Sequence, residues 1–163
     1  MDKKFLLRLD DTFKSIKTKL LLNENIRKML YYDAVDENTI APPIELAAEH
    51  VFTQPVIAVE TTEPFNKRNY ITITSPEGDK SGNKMDYIIR IIIMCDKSSW
   101  NLNGSARPLL LAQEVINELN NEKFKLSNPL SFSNIVETVT SKDVCGYSLL
   151  FDTTDGISEV DEK

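Results

Sequence analysis

One run of eleven residues, DYIIRIIIMCD at positions 86–96, limits the folds open to this chain more than any other feature. Side chains alternate across a β-strand, so Tyr87, Ile89, Ile91, Ile93 and Cys95 share one face. Ile88, Arg90, Ile92 and Met94 share the other. Both faces are apolar through most of the length, which places the strand inside a sheet and calls for cover on both sides. A short polar loop carrying the only tryptophan, Trp100, follows it. Pro108 then opens an amphipathic helix, since proline is tolerated in a first helical turn. Leu109, Ala112, Ile116 and Leu119 form its stripe, widened by Leu111 and Val115.

The rest of the chain is read around that unit. Leu6, Leu9, Phe13, Ile16 and Leu20 recur at steps of three and four, which predicts a helix over 3–22. Asn23 or Asn25 caps a second helix carrying Ile26, Met29 and Leu30. Residues 33–43 are a loop by composition, and Pro42-Pro43 opens a short helix through Glu49. Residues 51–69 fit either an edge strand or an extended linker, with 56–59 a candidate strand. Tyr70 to Thr74 alternates as a half-buried strand. Residues 75–84 are polar, contain Pro76, Gly78 and Gly82, and read as a mobile hairpin tip. Residues 130–140 and 143–152 read as a second hairpin.

The expected architecture is therefore α+β. N-terminal helices precede a four-stranded antiparallel sheet of order β-β-α-β-β, with one amphipathic helix packed on it. The expected organisation is a single domain over 1–152, helical over 1–50 and sheet–helix over 65–152. An acidic flexible tail is expected over 153–163. One helical layer covers one face of the sheet. The second cover must come from the N-terminal helices or from another subunit.

Composition narrows the function. With 163 residues and 41% hydrophobic content the chain can bury a core. Its formal charge is −6, a poor basis for sequence-specific nucleic-acid binding, which needs clustered Lys and Arg. The one basic cluster (Lys3, Lys4, Arg8, Lys14, Lys17, Lys19) is interspersed with acids and reads as a solvated helix face. No signal peptide is seen, and no apolar run reaches the roughly 18 residues of a membrane span. Synthesis and assembly in a cytoplasm are expected, with no membrane contact.

Chemistry finds few candidates. The single histidine, His50, ends a short predicted helix and has no nucleophile motif beside it. Cys95 and Cys145 lie in predicted strands and read as small buried hydrophobes in a reducing compartment. A disulfide between them requires adjacent strands in register. Asp33, Asp36 and Glu37 lack the glycine and distal glutamate of a calcium loop. No phosphate-binding glycine pattern occurs. No cofactor and no metal is expected, and the chain is read as a non-enzyme. Trp100 either fills the strand–helix corner or anchors a partner.

The segment IIIMCDKSSW…RPLLLAQEVINELN resembles the core of phage tail-terminator and tail-completion proteins. There, a long strand ends in a short polar stretch, and a helix of the type A-x-E-[IV]-x-x-x-[IL] follows. Ala112, Glu114, Val115, Ile116 and Leu119 are the matching residues. The flanking hairpins fit the same element order over residues 65–152. Residues 1–64 are longer and more helical than in the simplest members, which leaves open a related neck or head-completion component. The resemblance implies a ring of the chain with itself, usually of six subunits, at the head-proximal end of a tail or in the neck. Its partners are then the tail tube and neck proteins, with genomic DNA passing through the lumen without sequence-specific binding. The implied location is the virion. The residues expected at subunit contacts are Ile88, Ile92, Met94 and Trp100, with Asp79 and Lys80 at the hairpin tip. A baseplate adaptor, an assembly chaperone and a small enzyme are the competing readings.

Overall fold

A computed structural model describes residues 3–53 and 69–156. The chain begins with α1 (Lys3–Leu22), α2 (Glu24–Tyr31) and α3 (Ile44–Ala48). Asn23 is the cap between the first two: its side-chain oxygen accepts the amide of Ile26 at 3.1 Å. The strands are β1 (Val51–Phe52), β2 (Asn69–Ser81), β3 (Lys84–Asp96), β4 (Asn101–Leu102), β5 (Ser105–Ala106), β6 (Ser131–Val139) and β7 (Val144–Gly156). The helix α4 (Arg107–Leu119) lies between β5 and β6.

The main sheet has five strands in the order β1-β2-β3-β7-β6. It is mixed, because β1 runs parallel to β2 with Val51 beside Ile71. The expected four-stranded antiparallel sheet describes β2, β3, β7 and β6 and omits this extra strand. The reason is tertiary. The end of α3 hands the chain alongside β2, where the amide of Ile71 donates to His50 O at 2.8 Å. No two-residue strand carries its own periodicity. The possible strand at 56–59 lies outside the described residues.

Two further expectations need correction. Residues 75–84 form no open loop. β2 and β3 stay paired to Ser81↔Lys84 and close through the two-residue turn Gly82-Asn83. Gly82 sits at φ +59, where glycine bears no steric cost. The ladder slips between Thr74 and Glu77, around Pro76, which has no amide to give. There the Ser75 hydroxyl donates to Ile88 O at 2.8 Å. Residues 153–156, expected in the acidic tail, belong to the sheet. β7 stays paired to β3 as far as Gly156↔Lys84, and Thr153 and Asp155 are buried. Asp155 is held by Arg8 Nε at 2.8 Å and by the Ser127 hydroxyl at 2.8 Å.

Among the described residues, α1 to α4 all belong to one side of the sheet. The core cluster joins Ile16, Leu20, Ile26, Ala47, Leu111, Val115 and Leu119 to Ile71, Ile73, Ile89, Ile91, Ile93, Leu149 and Phe151. Every one of those strand residues points the same way, since directly opposed residues of an antiparallel pair share a face. The N-terminal helices therefore thicken the layer that α4 begins and do not cover the second face. The expected α1 stripe holds for Leu9, Phe13, Ile16 and Leu20, with only Leu6 exposed at 53%. The α4 stripe is rotated: Leu109 is 46% exposed, and the buried stripe is Leu111, Ala112, Val115 and Leu119.

Gly146 permits the closest approach in the sheet. A Cβ there would lie 1.8 Å from Ile93 O, inside the backbone of β3.

Candidate functional site

The residues expected to carry chemistry are occupied by the fold. His50 is 7% exposed, and its Nδ1 lies 2.7 Å from Asn69 O. Its ring meets that of Tyr31 edge-on with centroids 5.8 Å apart. Asn69 in turn accepts the Ser99 hydroxyl at 2.8 Å, tying β2 to the turn after β3. Cys95 and Cys145 are directly opposed in the β3–β7 ladder, and both thiols are free. Burial pushes the Cys95 thiol up to about 12, so it remains protonated and is a poor nucleophile at neutral pH. Asp36 closes a local turn, accepting the Asn38 amide at 2.8 Å. Among the described residues no group of three or more His, Cys, Asp or Glu is arranged to hold a metal. No described helix is long and apolar enough to cross a membrane.

Arg107 is the buried charge that sequence reading passed over. It is 0% exposed and begins α4. Its guanidinium donates only to backbone carbonyls: Ser99 O at 2.7 Å, Tyr32 O at 2.8 Å, Met29 O and Asp33 O. Three of these oxygens lie at the end of α2, where the helix dipole and unpaired carbonyls favour a cation. Burial lowers its pKa, while Cys95 and Asp33 oppose that shift. The residue clamps α2 to the corner between β3 and α4. One signal was available in the sequence: a cation in a first helical turn opposes the helix dipole unless its side chain is used elsewhere.

The expected contact residues are placed as follows. Ile88 and Ile92 are half-buried on the helix-free face of β3. Met94, on that face, is 1% exposed and has no surface left for a neighbour. Trp100 is half-buried and packs against the core. Asp79 and Lys80 are exposed near the hairpin turn.

Asp79 belongs to an acidic group on the helix-free face. It lies directly opposite Asp86, and Ile88 lies between Glu77 and Asp152 in the next row. These carboxylates line a groove of about 500 Å³ with Asn128, Ser131 and Thr154. Asp86 accepts the Thr154 hydroxyl at 2.6 Å. Like charges directly across a ladder are unfavourable, so this arrangement costs stability.

Exposed apolar side chains are the other surface feature. Seven of the eleven large hydrophobics exposed among the described residues fall in two segments. Tyr31, Ile40, Ile44 and Leu46 lie between the end of α2 and β1, with Ile40 83% exposed. Ile135, Val136 and Val139 lie on β6, with Val139 65% exposed. β6 is the last strand of the sheet on its side, and α4 packs over β3 and β7 rather than over β6. Ile135 and Val139 face the helix side, opposite Leu149 and Cys145, while Val136 faces away, opposite Ser148. The first segment leads into β1, the last strand on the other side.

The fold and these surfaces define a small α+β protein with most of its described exposed apolar groups in two separate segments, one on the edge strand β6 and one between α2 and β1. The chain belongs to the YomW family, whose model matches residues 23–153. No curated protein matches it.

Proposed function

We propose that the chain is a structural virion protein of a phage. It forms a ring, of six copies by the resemblance of residues 65–152 to tail terminators, at the head-proximal end of a tail or in the neck. The ring ends tail-tube growth, joins tail to head and leaves a channel for DNA. Membership of a family with a Bacillus phage-type name supports the phage setting. The observation that carries the reading is the pair of unlike apolar surfaces, one on the edge strand β6 and one between α2 and β1. A subunit with one sticky end of each kind associates head to tail, and head-to-tail contacts close into rings when the rotation permits. The half-buried Ile88 and Ile92 and the acidic groove between Glu77 and Asp152 then belong to a helix-free face. Turned to the lumen, those carboxylates repel DNA phosphates and let the duplex slide.

Electron microscopy of the purified protein, alone and with tail tubes, is the test. The expected image is a ring with an open centre, free or seated on a tube end. A chain that stays monomeric in both conditions contradicts the reading.

A further inference from the structure

We infer that the β6 edge of one copy docks on the α2–β1 patch of the next, so the contact that builds the assembly joins these two unlike surfaces. This rests on the ring reading and names the contact within it. Both surfaces are apolar and exposed, and a single chain carries them on separate elements, β6 and the segment between α2 and β1. Their charges decide which surface meets which.

Residues 29–66 contain no lysine or arginine. Asp36, Glu37 and Glu45 are exposed around Ile40 and Ile44. Arg27 and Arg107 reach this segment from beneath and donate to the carbonyl oxygens of Pro42 and Asp33, while its exposed charged side chains are acidic. Pairing this patch with its own copy would gather six of these carboxylates around one apolar contact, which like-charge repulsion opposes. β6 is flanked differently. Lys123 and Lys125 precede it and Lys142 follows it, all exposed. The acids beside them are Glu137 and Asp143, while Glu122 is held by Lys19 at 3.3 Å. An apolar strand bracketed by lysines fits an apolar patch rimmed by carboxylates, and it fits that patch better than either surface fits itself.

β6 is also built to accept a neighbour. From Asn134 to Val139 it has no proline, no lysine and no bulge, and Glu137 is the one charge along it. Its one register slip lies earlier, between Phe132 and Asn134.

The test uses two folded variants and their mixture. I135D/V139D removes the β6 surface, and I40D/I44D removes the patch. Light scattering with a check of thermal unfolding reads mass and fold together. Each variant alone is expected to be monomeric where wild type assembles. A 1:1 mixture is expected to give a heterodimer and nothing larger, because one good contact remains per pair. Assembly of the I40D/I44D variant alone shows β6 pairing with itself and overturns the inference. Assembly of the I135D/V139D variant alone overturns it equally.

Carbodiimide cross-linking of wild type supplies an independent arm. The expected links between copies join Lys125 or Lys142 to Asp36, Glu37 or Glu45. Wild-type rings without such links overturn this contact and leave the ring reading standing. A wild type that remains monomeric with tail tubes present overturns both.

Discussion

The two free edges of the sheet differ in how they are defended. β1 covers β2 only at Ile71 and Thr72, so among the described residues β2 is unpaired on its outer side from Ile73 onward. That stretch contains Pro76 within a bulge, followed by Glu77, Asp79 and Lys80. Proline, bulges and charges are the means by which proteins keep an edge from pairing with another chain. At the opposite end, β6 presents Ile135, Val136 and Val139 with a single charge, Glu137, among them. A sheet that guards one edge heavily and the other lightly is protected from random edge pairing along the first yet keeps one place for it. The two strands differ in the chemistry along their edges.

The most damaging way to break this comparison is to loosen the frame that holds both edges. Arg107→Met keeps the bulk and removes every donor, leaving the carbonyls of Met29 and Ser99 buried and without this partner and those of Tyr32 and Asp33 part-buried without it. A loss on the order of 3–5 kcal/mol is expected in urea unfolding. Arg107→Lys is expected to rescue little, because an ammonium lacks the planar fork that spans these oxygens.

Alkaline pH acts on the same frame. Burial pushes Cys95 from 9.0 to about 12 and Tyr70 from 10.0 to about 12 in the folded protein. The unfolded chain ionises first. Stability is therefore complete below pH 9 and falls as pH rises towards 12, beginning with Cys95. Each group contributes a slope of up to about 1.4 kcal/mol per pH unit. Urea midpoints recorded from pH 8 to 11 test this, and Cys95→Ala is expected to flatten the first part of the fall. A midpoint unchanged to pH 11 would contradict the burial of both groups.

Converting one edge into the other gives a smaller effect on stability and a clear one on association. Replacing Pro76 with Val, and Asp79 and Lys80 with Thr, strips the guards from β2. Folding free energy is expected to move by roughly 1 kcal/mol or less, as for most surface changes. New aggregates should nevertheless appear in light scattering. The smallest change is Asp79→Asn, which relieves the direct opposition of Asp79 and Asp86. A gain of roughly 0.2–1 kcal/mol in thermal unfolding is expected, with no change in assembly mass.

The fold was legible wherever periodicity is local. Alternation over 87–95 placed β3 at the centre, and steps of three and four placed α1, α2 and α4. Three features escaped that reading. β1 is two residues long and exists only because α3 delivers it to β2. The polar residues 75–81 resemble a loop until β3 pairs with them to the turn. Thr153 and Asp155 look like tail until Arg8 and Ser127 bury the carboxylate. The candidate surfaces were legible only in part. Ile88 and Ile92 were expected to await cover, and they are half-buried on the helix-free face. Met94 was expected there too, yet it is buried within the chain. The lightly guarded edge at Ile135, Val136 and Val139 left no distinct trace, because an alternating apolar strand reads the same whether α4 covers it or stops short. Ile40 was hidden in a segment that composition marks only as a loop.

Hydrogen exchange followed by mass spectrometry, recorded on the assembled protein and on the I135D/V139D variant, tests the central claim most directly. Protection on assembly is expected in peptides covering residues 131–139 and 31–46, with residues 75–81 exchanging alike in both samples. Protection that appears at residues 75–81 instead, with 131–139 unchanged, would contradict the account.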